Sequence, residues 1–428
     1  MQGSTGFRIL SVICALVAGT ALIEMRHVGF APWNTIWAED GAIYLRDAVS
    51  LGFVKSILAP HAGYLQVVPH LIAEMVALFP LRFSALMFSL LGSLGAASLG
   101  VMTYFVLNDQ LAWKWLRLGV AVGIVALPPA EFEISATAVN FNWYLLSACS
   151  TLILFRPRKR ASAIMSAALL FLTALSTPLV ALYFPLIIVR MWRDKSILPT
   201  IVEGGLIAGL VLQGIEVLML RLQNGVHTGL VLTLELYLGR IVTELFFGWN
   251  LSPRLLSLTT GAVAFLALAA VGGVTVLALI VVDNRGNVLV GVAYGATSVA
   301  LFAAEIFIRG GIALRPGQSW WSFPAGFESR YSDAPLFILL IGVFVLLGVV
   351  WERPNAYTRS VVIVTVLVVA AGWITSFYYD SPRTGGVAWS SALEKAALHC
   401  RIGTPVAVPI NPPGWSFDTT CRVLSSRY

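Results

Sequence analysis

The chain has 428 residues, of which 58% are hydrophobic and 11% charged, with a formal net charge of +7. A mean hydropathy of +0.84 and a charge content far below the roughly 25% of soluble domains exclude a soluble globular protein. They indicate an all-α polytopic membrane protein.

Apolar segments occur at 7–28, 82–107, 116–130, 140–155, 161–175, 178–190, 197–219, 255–282, 287–308, 334–350 and 358–379. Measured against the ~20 apolar residues a crossing needs, they predict about 11 transmembrane or short membrane helices. The first is too long for a signal-peptide core and lacks an A-x-A-like exit, so it reads as a retained anchor. Segments 116–130, 161–175 and 178–190 are short for a crossing and are expected to line a cavity or to be re-entrant. Residues 1–379 are read as one membrane domain and 380–428 as a small C-terminal outer segment.

Basic residues fix the expected orientation. Arg8, Lys114 with Arg117, the RPRKR run at Arg156 to Arg160, Arg190 to Lys195, Arg285, and Arg353 with Arg359 fall on one side. That side is expected to be cytoplasmic and to hold the N-terminus, with the C-terminus extracytoplasmic. The net positive charge follows from this asymmetry and gives no reason to expect nucleic acid as a partner. The other side carries the long segments 29–81, 131–139, 220–254, 309–333 and 380–428, and long connections are usually functional.

The first of these opens with Trp37-Ala38-Glu39-Asp40-Gly41. The following GAIYLRDAVSL predicts an interfacial amphipathic helix with Ile43, Ala48 and Leu51 on one face. Glu39 and Asp40 then stand at its N-terminus, where N-capping alone would account for an Asp. Yet charge at a membrane interface is costly, and Trp33 and Trp37 are placed to frame the pair as a pocket wall. Next come a turn at Pro60 to Tyr64, carrying His61, and a second short helix from Leu65 to Phe79, carrying Gln66, His70 and Glu74.

At this point the sequence resembles the GT-C superfamily of membrane glycosyltransferases. The acidic pair Glu39-Asp40 is similar to the motif of that family's first outer loop. Leu175-Ser176-Thr177-Pro178 with Tyr183, Pro185 and Arg190 resembles its polar-Pro hairpin between short spans. Pro128-Pro129-Ala130-Glu131 through Asn140, Trp143 and Tyr144 resembles an outer loop entering the next span. Ser329-Arg330-Tyr331 with Pro335 resembles an Arg-Tyr motif before a late span. The chain departs from better-known members in lacking a large soluble C-terminal domain and in having Glu-Asp where many carry Asp-Asp or Asp-Glu. No cofactor is assigned for that reason, a divalent cation being the one the resemblance admits.

The resemblance implies a bacterial inner-membrane enzyme that works on the outer face, taking a sugar from a polyprenyl-phosphate donor and giving it to a cell-envelope glycan or lipid acceptor, with inversion. Such a reaction needs a base for the acceptor hydroxyl and cations for the leaving phosphate. Asp40 is the expected base, with Glu39 assisting. Arg330 and Arg309 are the expected phosphate partners, since the guanidinium fork matches phosphate oxygens. Tyr331, His61, Tyr64, His70, Glu131, Asn140 and Trp143 complete the candidate site.

Cys400 and Cys421 share the outer segment, where oxidising conditions favour a disulfide. The loop it would close, about 22 residues, contributes roughly 3 kcal/mol in the chain-entropy model. The segment is expected to act as a lid, an acceptor contact or a packing plug. There is no P-loop and no zinc spacing among the histidines. A secondary transporter or flippase stands as the alternative class, as does a non-catalytic assembly partner. Transporters are built from inverted repeats with midplane polar sites; here no repeat is evident and the polar residues gather at the rim.

Overall fold

A computed structural model of the chain describes residues 5–28, 32–126, 134–193, 197–219, 229–281, 286–309, 319–320, 330–353, 355–380, 383, 385–401 and 404–427. It opens with α1 (Thr5–Met25), strand β1 (His27–Val28) and a π-helical turn Asp40–Leu45 that continues as α2 (Arg46–Ser50). Then follow α3 (Phe53–Ile57), the strand pair β2 (Pro60–His61) and β3 (Tyr64–Leu65), and α4 (Val67–Ala77). The bundle proper is α5 (Ser84–Val106), α6 (Lys114–Ala126), α7 (Phe141–Ile153), α8 (Arg160–Ala174), α9 (Phe184–Arg193) and α10 (Ile197–Met219). It continues with α11 (Leu230–Tyr237), α12 (Glu244–Leu258), α13 (Ala262–Val281), α14 (Gly286–Arg309), α15 (Arg330–Trp351) and α16 (Ala356–Thr375). The tail holds β4 (Tyr379–Asp380), α17 (Trp389–Leu398), the hairpin β5 (Pro405–Ile410) and β6 (Trp415–Thr420), and α18 (Cys421–Arg427).

Among the described residues, six helices, α1, α5, α13, α14, α15 and α16, are long and apolar enough to cross a membrane. Helix α15 is the centre: every residue from Tyr331 to Val350 is buried, which is the signature of a helix apolar on all faces. It packs on α14, α13, α7 and α6. Contact with α14 is backbone to backbone, since a Cβ on Gly342 would sit 2.7 Å from the Gly291 carbonyl oxygen. Small residues are what let helices approach this closely where no hydrophobic drive between them exists. α1 lies at the periphery, its outer side exposed to where lipid would be.

The short helices α6, α7, α8 and α9 do not reach a full crossing. Of residues 220–254, expected to form a long outer segment, the described part from 229 onward is largely helical, and α12 is broken at Gly248, whose φ of 67° only glycine adopts easily. A Cβ there would lie 2.3 Å from the Gly372 carbonyl oxygen.

Two faces separate. On one, the basic connections meet: the Arg156 amide donates to Asp109 at 3.1 Å, Arg193 to Asn287 at 3.4 Å, and Arg353 to the Val281 carbonyl. On the other, buried Arg26 at the end of α1 donates to the carbonyls of Val125 (3.1 Å) and Phe377 (3.3 Å), and β1 pairs in parallel with β4. The loop after α1 and the tail after α16 therefore share this second face, hereafter the loop face. Cys400 and Cys421 are joined there by a disulfide, with Cα atoms 5.5 Å apart.

Candidate active site

The acidic pair is built on a constrained turn. Ala38 has a φ of 38°, Glu39 enters the helical region at φ −62°, and the π-helical turn begins at Asp40. Gly41 is required by packing, for a Cβ would fall 2.7 Å from Ile410 Cδ1 and 2.9 Å from Ile36 Cγ2. Neither the pair nor its helix is an ordinary surface cap. Glu39 makes no side-chain capping bond, and the buried face of the segment is Gly41, Tyr44, Leu45, Asp47 and Ala48. Ala48 is buried, whereas Leu51, expected on the same face, follows the end of α2 and is exposed.

The two carboxylates part company. Glu39, half-buried, lines a cavity of about 130 Å³ at the loop face. Asp40, expected to be the base, is not among the lining residues and is 1% exposed. Its Oδ1 accepts from the amides of Val139 at 2.7 Å and Ala138 at 3.1 Å. Burial pushes its pKa up to about 7, against the pull of the Val139 and Ala138 amides and of the Arg383 cation. Asp40 thus ties the acidic loop to the turn leading into α7.

That turn delivers Val139, Asn140, Asn142 and Trp143 to the cavity wall. Asn140 stands at the N-cap of α7 without a side-chain capping bond. Opposite, the β2–β3 hairpin turns at Ala62 (φ 53°) and Gly63 (φ 85°), the two positive φ angles a tight two-residue hairpin needs. It sets His61, Tyr64 and Gln66 on the wall. The hairpin is moored to α10, where Gln213 bonds both the amide (3.2 Å) and the carbonyl (3.1 Å) of Leu65. At the start of α4, the Val68 amide donates to Ser176 Oγ at 3.0 Å. Thr177 and Leu179 close the floor, and Arg330 at the first turn of α15 closes the far side.

Gln66 and Asn142 were not singled out as site residues by the sequence. Gln66 Oε1 accepts from Tyr44 Oη at 2.5 Å and from Asn142 Nδ2 at 3.3 Å, while Gln66 Nε2 donates to the His61 carbonyl at 3.3 Å. Their signal was present in their neighbours: Gln66 follows the turn carrying Tyr64, and Asn142 stands between Asn140 and Trp143.

The remaining expected residues fall as follows. Tyr331 packs behind the wall, its ring edge-on to Trp143 at 5.8 Å and beneath the Arg330 guanidinium at 5.1 Å. His70 lies behind Tyr44, ring centroids 4.8 Å apart, and burial lowers its pKa to about 4, so the ring is neutral. Neither lines the cavity. Arg309 is the last residue of α14, its side chain outside the description, and Glu131 lies outside the described residues. Trp33 is exposed, and Trp37 is buried beneath Arg383 at 5.3 Å, so neither tryptophan frames the cavity. Among the described residues no group of three metal-ligating side chains gathers; on the cavity wall, Glu39 and His61 are the side chains of that type.

Chemically, the cavity offers one carboxylate, one guanidinium, three amides and two aromatic faces. Its volume is close to the ~150 Å³ that accommodates a benzene-sized ring, well below the roughly 300–1,000 Å³ of drug-sized sites. Fold and site together define a polytopic membrane protein whose short helices and first loop enclose a polar, ring-sized cavity at the loop face. No family model and no curated protein matches the chain. Among solved structures it is similar to ArnT from Cupriavidus metallidurans bound to undecaprenyl phosphate, with a TM-score of 0.47 and 12% identity over 94% of this chain and 82% of that one.

Proposed function

We propose that the protein is a membrane glycosyltransferase that moves a sugar from a polyprenyl-phosphate donor to a cell-envelope glycan or lipid, working on the extracytoplasmic side. The observation that carries this reading is the placement of Glu39 and Arg330 on the wall of one ring-sized cavity. A sugar ring there lies between Trp143 and Tyr64, with Asn140, Asn142 and Gln66 serving its hydroxyls. Arg330 takes the phosphate oxygens, which leave carrying charge. Glu39 accepts the proton of the acceptor hydroxyl as that oxygen bonds to the anomeric carbon and the carbon–phosphate-oxygen bond breaks on the opposite side, inverting the centre.

This assigns the base to Glu39 and gives Asp40 a positioning task, because the Asp40 carboxylate is enclosed and already accepts two amides. Orientation follows the basic-residue asymmetry, with the loop face outside. The test is made in a strain lacking the gene: lipid-linked sugars are profiled by mass spectrometry with wild-type or Glu39→Gln protein restored. The donor is expected to accumulate in the deletion strain and with Glu39→Gln and to disappear with wild type. Equal clearance by both proteins would sink the assignment, and no accumulation in the deletion strain would sink the function.

A further inference from the structure

We propose that the C-terminal segment is the frame that sets the direction of Glu39, with Asn411 as the positioning residue; this rests on the role given to Glu39 above. Asn411 is fully buried and faces two ways. Its main chain belongs to the acidic loop: its amide donates to the Ile36 carbonyl at 3.0 Å, and its carbonyl accepts from the Ala38 amide. Its side chain belongs to the tail, Oδ1 accepting from the Val387 amide at 2.9 Å and Nδ2 donating to the Val387 carbonyl at 3.0 Å. One residue earlier, Ile410 fills the space that only a glycine at position 41 leaves open.

The loop needs such a hold. Ala38 sits at a positive φ of 38°, a conformation that costs an L-residue with a Cβ free energy and persists only where the surroundings impose it. Glu39 is the next residue and makes no capping bond of its own, so backbone direction at Ala38 sets where its side chain leaves the loop. The tail is in turn fixed to the membrane domain. Trp389 Nε1 donates to the Leu81 carbonyl at 2.7 Å, Arg427 to the Ala77 carbonyl at 2.8 Å, and the Ser390 amide to Asn34 Oδ1 at 3.1 Å. Within it, the Cys400–Cys421 disulfide joins the end of α17 to the start of α18, and Trp389 packs edge-on to Phe417. Among the described residues, none of the tail lines the cavity, so an effect of the tail on turnover must pass through the acidic loop.

The test uses the full-length protein in membranes of the deletion strain, which supply donor and acceptor together. Two variants displace the same amide: Asn411→Ala removes it, and Gly386→Ala places a Cβ 1.8 Å from its Oδ1. Both are expected to lower turnover by about 100-fold, the scale of an ångström-sized misplacement of a reacting group. Binding of polyprenyl phosphate by the purified variants is expected to stay within about twofold of wild type, because the loss is confined to the transition state. Wild-type turnover in both variants, a parallel loss of phosphate binding, or a rise in acceptor KM alone would each overturn the inference. Glu39→Gln is run alongside: an active Glu39→Gln protein refutes the function of Glu39, whereas an inactive one beside an active Asn411→Ala refutes only the frame.

Discussion

The Asp40 carboxylate and the Val139 amide lie 2.7 Å apart, joining two segments separated by nearly a hundred residues. One carries Glu39 and the other Asn140 and Trp143, so this bond sets the two halves of the cavity wall against each other. The same Oδ1 also receives the Ala138 amide. Oδ2 takes a longer share of the Ala138 amide at 3.4 Å, but the shorter bonds converge on Oδ1, the one oxygen an asparagine retains.

Asp40→Asn is accordingly expected to keep turnover within about tenfold of wild type, whereas Glu39→Gln loses about 10²- to 10⁴-fold, the usual contribution of a positioned general base. Steady-state transfer in reconstituted membranes distinguishes them. The reverse ranking would return the proton transfer to Asp40.

Asp40 also makes a pH prediction. Its pKa rises from the ordinary aspartate value of about 3.9 to about 7 in the folded protein, chiefly through burial. A raised acid pKa means the folded state holds the proton more tightly, so stability is fullest below the unfolded value and declines as pH climbs toward 7. The shift corresponds to roughly 4 kcal/mol. Melting of wild type and Asp40→Asn in detergent, compared from pH 4 to 8, should show wild type losing ground with rising pH. Parallel curves would contradict the assigned shift.

Arg330 lines the cavity above the Tyr331 ring. Arg330→Ala is expected to reduce kcat/KM by about 10- to 100-fold, matching loss of a charged hydrogen bond of ~1.5–3 kcal/mol. Arg330→Lys should restore only part, since an ammonium cannot form the two-pronged contact. Full recovery with lysine would argue against bidentate phosphate binding.

Gly41→Ala is predicted to destabilise the protein by about 1–3 kcal/mol, the cost of overpacking, because its Cβ meets Ile410 Cδ1 and Ile36 Cγ2. Ile410→Val deletes the first of those atoms, so the double variant should recover part of the loss in a thermal melt. An additive, further destabilised double variant would show that the two positions do not share this contact.

Much of the architecture was readable because a membrane leaves few options: buried backbone must satisfy itself, so the apolar run at 334–350 could only be a helix. His61, Tyr64, Asn140, Trp143 and Arg330 were named from residue chemistry together with the family resemblance, and they line a common cavity. The division between Glu39 and Asp40 was not legible, because adjacent positions differ in face only once the π-turn sets the phase. Trp33 and Trp37 misled since an aromatic side chain reads alike as pocket wall, interface anchor or core. Gln66 was named only as part of its helix and Asn142 not at all, because one sequence does not show which neutral amides turn toward a shared cavity.

The amide of Gln66 has a consequence for what the cavity can recognise. The His61 carbonyl can only accept, so Nε2 of Gln66 must face it and Oε1 must face Tyr44 and Asn142. Asn142 is then obliged to spend its NH₂ inward, leaving an Oδ1 with no protein partner among the described residues. That oxygen is a buried acceptor on a side chain that lines the cavity. A donor brought to it would relieve an unpaired buried acceptor, which a carbonyl or ether oxygen would not do. The direction of that acceptor is thus set by a backbone carbonyl two hydrogen bonds away, through the amide of Gln66.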